Sequence, residues 1–331
     1  MLAARIEREG RPMGLPGLQE LEAAAGLVYA HMQGSPQLHW PLLSERCGCR
    51  VWVKHENHNP TGAFKVRGGL VYLHGLRERD PDVRGVVAAT RGNHGQSVAY
   101  AAARTGLEAV VVVPRGNSPD KNRAMRALGA ELVEYGADFD EAVPHAQSLA
   151  RERGLHPMPS FHRDLVTGVA TYGLELLRAR PGLDRVYVPI GLGSGVCGVI
   201  AARNALGLDT EIVGVVSSAA DAYARSLAAG EVVTTDSADT IADGMAVRVP
   251  SPEALAIMQG QVSRVVAVDD NAVRDAMGHY FADTHNVAEG AGAAPLAALL
   301  VERDINAGAE VALVLSGGNV DRALFAAALA G

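Results

Sequence analysis

Val86-Val87-Ala88-Ala89-Thr90-Arg91-Gly92-Asn93-His94-Gly95 reads as a strand that runs into a glycine-bearing loop and then into a helix. Its first four residues are apolar without alternation, as in a strand covered on both faces. A similar run follows at Val110-Val111-Val112-Val113, and a further strand reads at Leu132-Val133-Glu134-Tyr135. Helical patterns over about 95–104, 119–128 and 138–153 separate and follow them. A second series has strands at Val186-Tyr187-Val188, Ile212-Val213-Gly214-Val215-Val216, Val265-Val266-Ala267-Val268 and Val311-Ala312-Leu313-Val314-Leu315. Its helices fall near 196–206, 219–229, 252–259, 270–284 and 291–306, and a last helix closes the chain. Strands alternating with helices predict an α/β fold of open, mostly parallel twisted sheets flanked by helices.

Upstream, Leu18 to about Met32 is helical in pattern and Trp52 to Lys54 is a short strand. That strand delivers the chain to Pro60-Thr61-Gly62-Ala63-Phe64-Lys65-Val66-Arg67-Gly68. The first three residues form a turn and cap, and a helix begins near Thr61 with Phe64, Leu70, Leu73 and Leu76 along a buried stripe. A lysine amine ionises near pH 10.4 in water, so a nucleophilic lysine needs burial or a nearby cation to disfavour its ammonium form. Phe64, Arg67 and the helix N-terminus offer both to Lys65. An ordinary amphipathic helix with one solvated lysine is the plainer reading of this stretch alone.

The 331 residues exceed a usual single core, which favours two units or one large α/β unit. With 20% charged and 48% apolar residues, a net charge of −7 and interspersed signs, the composition is that of a soluble protein without a footprint for nucleic acid or an anionic membrane. Met1 to Glu9 mixes charge with apolar residues and does not read as a secretory signal; no apolar run approaches the ~20 residues needed to cross a bilayer. Cys47, Cys49 and Cys197 are too few for a disulfide framework, and Cys47 and Cys49 lack a second Cys/His pair at ligand spacing, so no metal is expected. A cytoplasmic enzyme is the simplest compartment.

Ligands in open parallel sheets bind beyond the carboxyl ends of the strands, and three loops there are unusual. Ala89 to Gly95 lets backbone amides converge at a helix N-terminus, where an anion would sit; a glycine turn with a surface histidine is the alternative. Pro189-Ile190-Gly191-Leu192-Gly193-Ser194-Gly195-Val196-Cys197-Gly198 can wrap a phosphate. It also satisfies G-x-G-x-x-G, so a dinucleotide site and an NAD-dependent oxidoreductase remain open. Against them, the next strand ends in Val216-Ser217-Ser218, where a ribose-binding carboxylate should stand. Leu315-Ser316-Gly317-Gly318-Asn319 either presents the Ser316 hydroxyl to a ligand or is a tight serine-capped turn. Glu289 reads as a charge at a helix N-terminus.

In this order these segments resemble the fold-type II pyridoxal-phosphate enzymes, most closely the serine/threonine dehydratase family. Lys54-His55-Glu56-Asn57 with Pro60 to Gly68 is similar to that family's lysine motif, and Gly92-Asn93-His94-Gly95-Gln96 to its substrate loop. Gly191 to Gly195 resembles its phosphate loop and Ser316-Gly317-Gly318-Asn319 its pyridine-contact turn. The likeness runs from about Ser35 to the C-terminus. It implies two domains, 1–84 with 160–331 binding the cofactor and 85–159 carrying the substrate loop, with pyridoxal 5'-phosphate in the cleft between them. It implies that Lys65 is catalytic and bears the cofactor as a Schiff base, that Phe64 packs on its pyridine ring and that Asn93 bonds its 3-hydroxyl. The amides of Gly191, Leu192, Gly193, Ser194 and Gly195 would hold the phosphate, and Ser316 would meet the pyridine nitrogen. A neutral hydroxyl there suits β-elimination.

The implied activity is a dehydratase, an ammonia-lyase turning a β-hydroxy-α-amino acid into a 2-keto acid and ammonia. Its substrate would be of threonine or serine type, or a bulkier or acidic analogue such as phenylserine or 3-hydroxyaspartate. The substrate carboxylate would lie on Thr90, Arg91, Gly92, Asn93 and His94. A β-replacement enzyme of the cysteine synthase type is the nearest rival, and a homodimer is the expected assembly. Leu192 and Ser194 stand where the family's phosphate loop has glycines. Arg91 stands where serine racemases carry a serine base, so racemisation should be poor. A divalent-cation site is not expected, because Asp221 alone is acidic after the strand ending at Val216. The chain stops soon after Ser316, so no domain for control by isoleucine is expected. The Thr90–Gln96 and Gly168–Tyr172 variants are similar to those of hydroxyectoine-catabolism and phenylserine dehydratases. Arg91 could pair with a carboxylate or stack on an aromatic β-substituent, or could cap the loop while pointing away.

Overall fold

The computed structural model describes residues 14–137 and 139–330, so Met1 to Glu9 lies outside the described residues. One sheet has six strands, in spatial order β1 (Gln37–His39), β2 (Arg50–His55), β10 (Glu310–Leu315), β7 (Arg185–Pro189), β8 (Glu211–Ser217) and β9 (Arg264–Val268). The other has four, in the order β5 (Glu131–Glu134), β4 (Glu108–Val113), β3 (Gly85–Ala89) and β6 (His156–Pro157). Every pairing is parallel except β1 with β2. Val110 to Val113 and Val311 to Leu315 are all fully buried, which is why their sequences lack polar alternation. The fold is the expected one, two mainly parallel sheets flanked by helices.

Three segments differ from expectation. Gly154 to Pro159, whose two prolines and lack of periodicity read as a crossing between units, supplies edge strand β6, with Val86 paired to His156 and Val87 to Pro157. An edge position tolerates Pro157, which has no amide hydrogen to donate. Gln37 to His39 forms the antiparallel edge β1, too short and too mixed to show a period of two. The pattern expected to be helical through 306 stops as a helix at Val301 and continues as a short 3-10 turn, Asp304–Asn306.

A helix that the sequence reading did not pick out, Arg163–Ala179, is buried along most of its length. It lies between the helix that starts at Lys65 (Lys65–Arg79) and the one after the glycine loop (Ser194–Leu206). The contacts bring backbones together: a Cβ on Gly168 would meet the Arg67 carbonyl oxygen at 2.3 Å, and one on Gly198 would meet the Ala170 nitrogen at 2.9 Å. The polar residues of this helix, Asp164, Thr167, Thr171, Glu175 and Arg178, recur at helical spacing, and through Thr171 and Glu175 this stripe meets the buried Arg67 and Lys54.

Arg67 is fully buried inside this packing. Its guanidinium donates to Glu56 at 2.8 and 3.0 Å, to Glu175 at 2.7 and 3.1 Å, to Thr171 at 3.0 Å and to Ser35 at 3.2 Å. Lys54 donates to Glu175 and to the Ser35 carbonyl. Two cations thus meet two carboxylates. Cys47, Cys49 and Cys197 are buried free thiols, and no helix of the described residues is long and apolar enough to cross a membrane.

Candidate active site

Four loops meet beyond the carboxyl ends of β2, β3, β7 and β10. The turn before Lys65 is set by Gly62, whose φ of +67° suits glycine and where a Cβ would stand 2.7 Å from the Asn319 Oδ1. This turn is stitched to the one after β10. The Phe64 amide donates to the Ser316 carbonyl at 3.0 Å, the Gly318 amide to the Gly62 carbonyl at 2.9 Å, and Ala63 bridges to Gly317. The turns that carry Lys65 and Ser316, far apart in the chain, are thereby fixed to each other.

The Lys65 amine lies 5.1 Å from the centroid of the Phe64 ring. It has no hydrogen bond or ion pair among the described residues. Burial pulls its ionisation below the ordinary lysine range, and Glu289 opposes that pull. Arg67, expected to act on it as a neighbouring cation, turns away and is neutralised by Glu56 and Glu175. The chain contains two other lysines, and both are engaged: Lys54 with Glu175, Lys121 with Asp243.

The glycine loop follows β7. Gly193 has φ +103°, and a Cβ on Gly191 would meet the Gly244 carbonyl oxygen at 2.2 Å, so backbone lines the space that side chains would otherwise fill. The amides of Gly191, Leu192, Gly193, Ser194 and Gly195 have no acceptor among the described residues. They stand at the N-terminus of the helix Ser194–Leu206, where the dipole favours an anion. Two tyrosines that sequence reasoning missed brace this loop. Tyr172 donates to the Gly195 carbonyl at 3.0 Å and meets the Phe64 ring edge-on, centroids 6.1 Å apart. Tyr223 donates to the Leu192 carbonyl at 2.8 Å.

Ser316 is buried, and its hydroxyl has no partner among the described residues. Asn93 opens the helix Asn93–Thr105 and faces the same cleft. Its amide donates to the Glu289 carboxyl at 2.7 Å and its carbonyl accepts from Asn319 at 2.8 Å. Glu289 is therefore more than a helix-end charge; burial raises its carboxyl to about 7, against the pull of Lys121 and Asn93. Burial, with the Lys65 charge nearby, pushes the His94 imidazole down to about 3, and its Nε2 has no partner. Thr90 is buried and its hydroxyl accepts the Gly92 amide at 3.3 Å. Arg91 is exposed: its carbonyl accepts from Asn117 at 3.0 Å, and its guanidinium has no partner among the described residues.

The loops thus bring Phe64, Lys65, Asn93, His94, the 191–195 amides and Ser316 to one cleft, while the Arg91 side chain stays at its rim. A free amine, a cradle of unpartnered amides and a free buried hydroxyl fit an aldehyde cofactor bearing a phosphate and a ring nitrogen. A ribose-binding carboxylate is not there: β8 ends at Ser217, whose hydroxyl accepts the Ala219 amide.

Residues 28–317 match a protein family described as pyridoxal-phosphate dependent enzyme. Among characterised relatives, L-threonine ammonia-lyase of Geobacter sulfurreducens is 37% identical over 285 residues, covering 86% of this chain and 71% of its own. Among solved structures, a T.th. threonine deaminase superposes with a TM-score of 0.86 at 35% identity, covering 92% of this chain and 99% of that one. A pyridoxal 5'-phosphate-dependent aspartate racemase gives a TM-score of 0.88 at 29% identity over 94% of this chain and 98% of that one.

Proposed function

The chain belongs to the pyridoxal-phosphate-dependent enzymes, within the serine/threonine dehydratase family, and from that membership we propose that it releases ammonia from threonine or serine, giving a 2-keto acid. One observation carries the reading: of three lysines, only Lys65 presents an amine without a hydrogen bond or ion pair among the described residues, and the turn before it is bonded to the Ser316 turn through the Phe64 amide.

When bound, pyridoxal phosphate supplies an aldehyde carbon and an electron-withdrawing ring that acidify the Cα–H of an amino acid joined to it. The residues of the chain do the rest. The 191–195 amides hold the phosphate, and the Ser316 hydroxyl donates to the ring nitrogen without giving it a full proton. The backbone around Arg91 to His94 orients the substrate carboxylate. Lys65, whose burial disfavours the ammonium form, takes the Cα proton. Water lost as the β-hydroxyl departs is returned at hydrolysis, so the net change is loss of ammonia. The 85–159 segment acts in this proposal as the unit carrying the substrate loop, and the assembly is a homodimer, which light scattering tests.

A second reading, a bulkier or acidic β-substituent, is favoured by one feature, the unpaired guanidinium of Arg91 at the rim. The test is a panel of threonine, serine, phenylserine and 3-hydroxyaspartate, given without a thiol to loaded wild type and to Arg91→Ala. Keto acid and ammonia from threonine or serine, in an order that Arg91→Ala leaves alone, is the expected result. Loss of a preference for phenylserine or 3-hydroxyaspartate in Arg91→Ala would move the assignment to the second reading. No keto acid in any case, with a thioether amino acid and water formed once a thiol is supplied, would move it to β-replacement.

A further inference from the structure

The helix Pro119–Ala127 carries three basic residues with different surroundings. Arg123 is 80% exposed and pairs with Asp120 on its own helix, and Arg126 is 53% exposed and pairs with Glu134. Lys121 is 12% exposed and crosses from the four-stranded side of the cleft to pair with Asp243 on the six-stranded side. Ordering a lysine side chain costs up to about 2 kcal/mol of rotamer freedom, so its burial at a cleft needs a reason.

Three contacts supply one. The aliphatic stem of Lys121 lies against Gly92: a Cβ there would stand 3.1 Å from its Cδ and 3.7 Å from its Cε. The same segment holds the residue before, for Asn117 donates to the Arg91 carbonyl at 3.0 Å and to Asn122 at 2.6 Å. The residue after is held from the other side, by Glu289 and Asn319 on Asn93. The ammonium also faces three carboxylates, Asp243, Glu289 and Asp321, which keep it charged in spite of burial. With it in place, an incoming substrate carboxylate meets a partly neutralised cluster.

We propose that Lys121 is a positioning residue for the substrate loop, its stem backing Gly92 and its ammonium tying that loop across the cleft to Asp243. The inference rests on the reading of residues 90–94 as the carboxylate-binding loop. Losing the charge loosens the amides that orient the substrate and leaves the acidic cluster to repel it. Both effects fall on substrate binding more than on the proton transfer at Lys65.

The variants Lys121→Met, which keeps the stem, and Lys121→Arg, which keeps the charge, separate the two contributions, with Arg123→Ala as a control on the same helix. In loaded enzyme, Lys121→Met should raise KM for the amino acid about tenfold, the size expected for losing a charge-assisted hydrogen bond, with kcat within about twofold. Lys121→Arg should recover most of that, and Arg123→Ala should match wild type. Hydrogen exchange on chain without cofactor gives the second readout: the amides of Gly92 to Gln96 should exchange several-fold faster in Lys121→Met than in wild type, with the strands unchanged. Unaltered KM and unaltered protection in Lys121→Met would overturn the proposal, and so would a fall in kcat at constant KM. If wild type makes no keto acid, the functional reading fails, and the exchange result still judges Lys121.

Discussion

Arg67 and Lys65 stand two residues apart at the start of one helix, and the fold treats their charges in opposite ways. Arg67 is enclosed and every direction of its guanidinium is met, by Glu56, Glu175, Thr171 and Ser35. Lys65 faces a cleft in which its amine, the Ser316 hydroxyl and the His94 Nε2 all lack hydrogen-bond partners among the described residues. A satisfied buried charge fixes how elements sit against one another. An unsatisfied one is a place where the protein waits for a ligand. The first region holds the second in position, since Glu56 also accepts from Asn59 at 2.7 Å and so anchors the turn that leads to Lys65.

Substitutions should separate the two regions. Lys65→Ala should lower keto-acid formation by about a thousandfold or more, because it removes the base that takes the Cα proton. The same change should leave urea stability equal or greater, since a buried amine without a partner is gone; a large loss of stability would break the contrast. Arg67→Met should do the reverse and cost about 3–5 kcal/mol of stability, read from the urea midpoint, because Glu56 and Glu175 stay buried with their cation removed.

Glu289 lies between these extremes. Its folded carboxyl is raised to about 7, so the folded state holds the proton to higher pH than the unfolded chain does. Stability from this group is therefore complete below about pH 4.5 and declines as pH rises towards about 7, by on the order of 3 kcal/mol. Glu289→Gln should remove that decline in a stability series from about pH 4.5 to about 7.5. The smallest effect belongs to Tyr172→Phe, which deletes one hydrogen bond to the Gly195 carbonyl. About 0.5–1.5 kcal/mol is at stake, seen as a roughly two- to tenfold weaker affinity for pyridoxal phosphate.

The parallel sheets were legible because fully buried strands such as Val110 to Val113 leave an uninterrupted apolar run. The helix Arg163–Ala179 carries a legible stripe too, polar at Asp164, Thr167, Thr171, Glu175 and Arg178, but no spacing in the sequence says that Thr171 and Glu175 face a buried arginine and not solvent. At the site, residues next to glycines in strand-end loops could be found, since loop chemistry is local in sequence. Tyr172, Tyr223, Glu289 and Lys121 lie far in the chain from what they touch, and their spacing carries no sign of it. One signal was available for Lys65: with three lysines in 331 residues, a covalent attachment point has few candidates.

That scarcity makes the central claim simple to measure. Protein loaded with pyridoxal phosphate is reduced with borohydride, digested, and the peptides bearing Lys54, Lys65 and Lys121 are compared by mass. The account predicts the reduced cofactor on Lys65 alone, because Lys54 and Lys121 are held by Glu175 and Asp243. An unmodified Lys65 peptide, whether the label is on another lysine or absent, would contradict it.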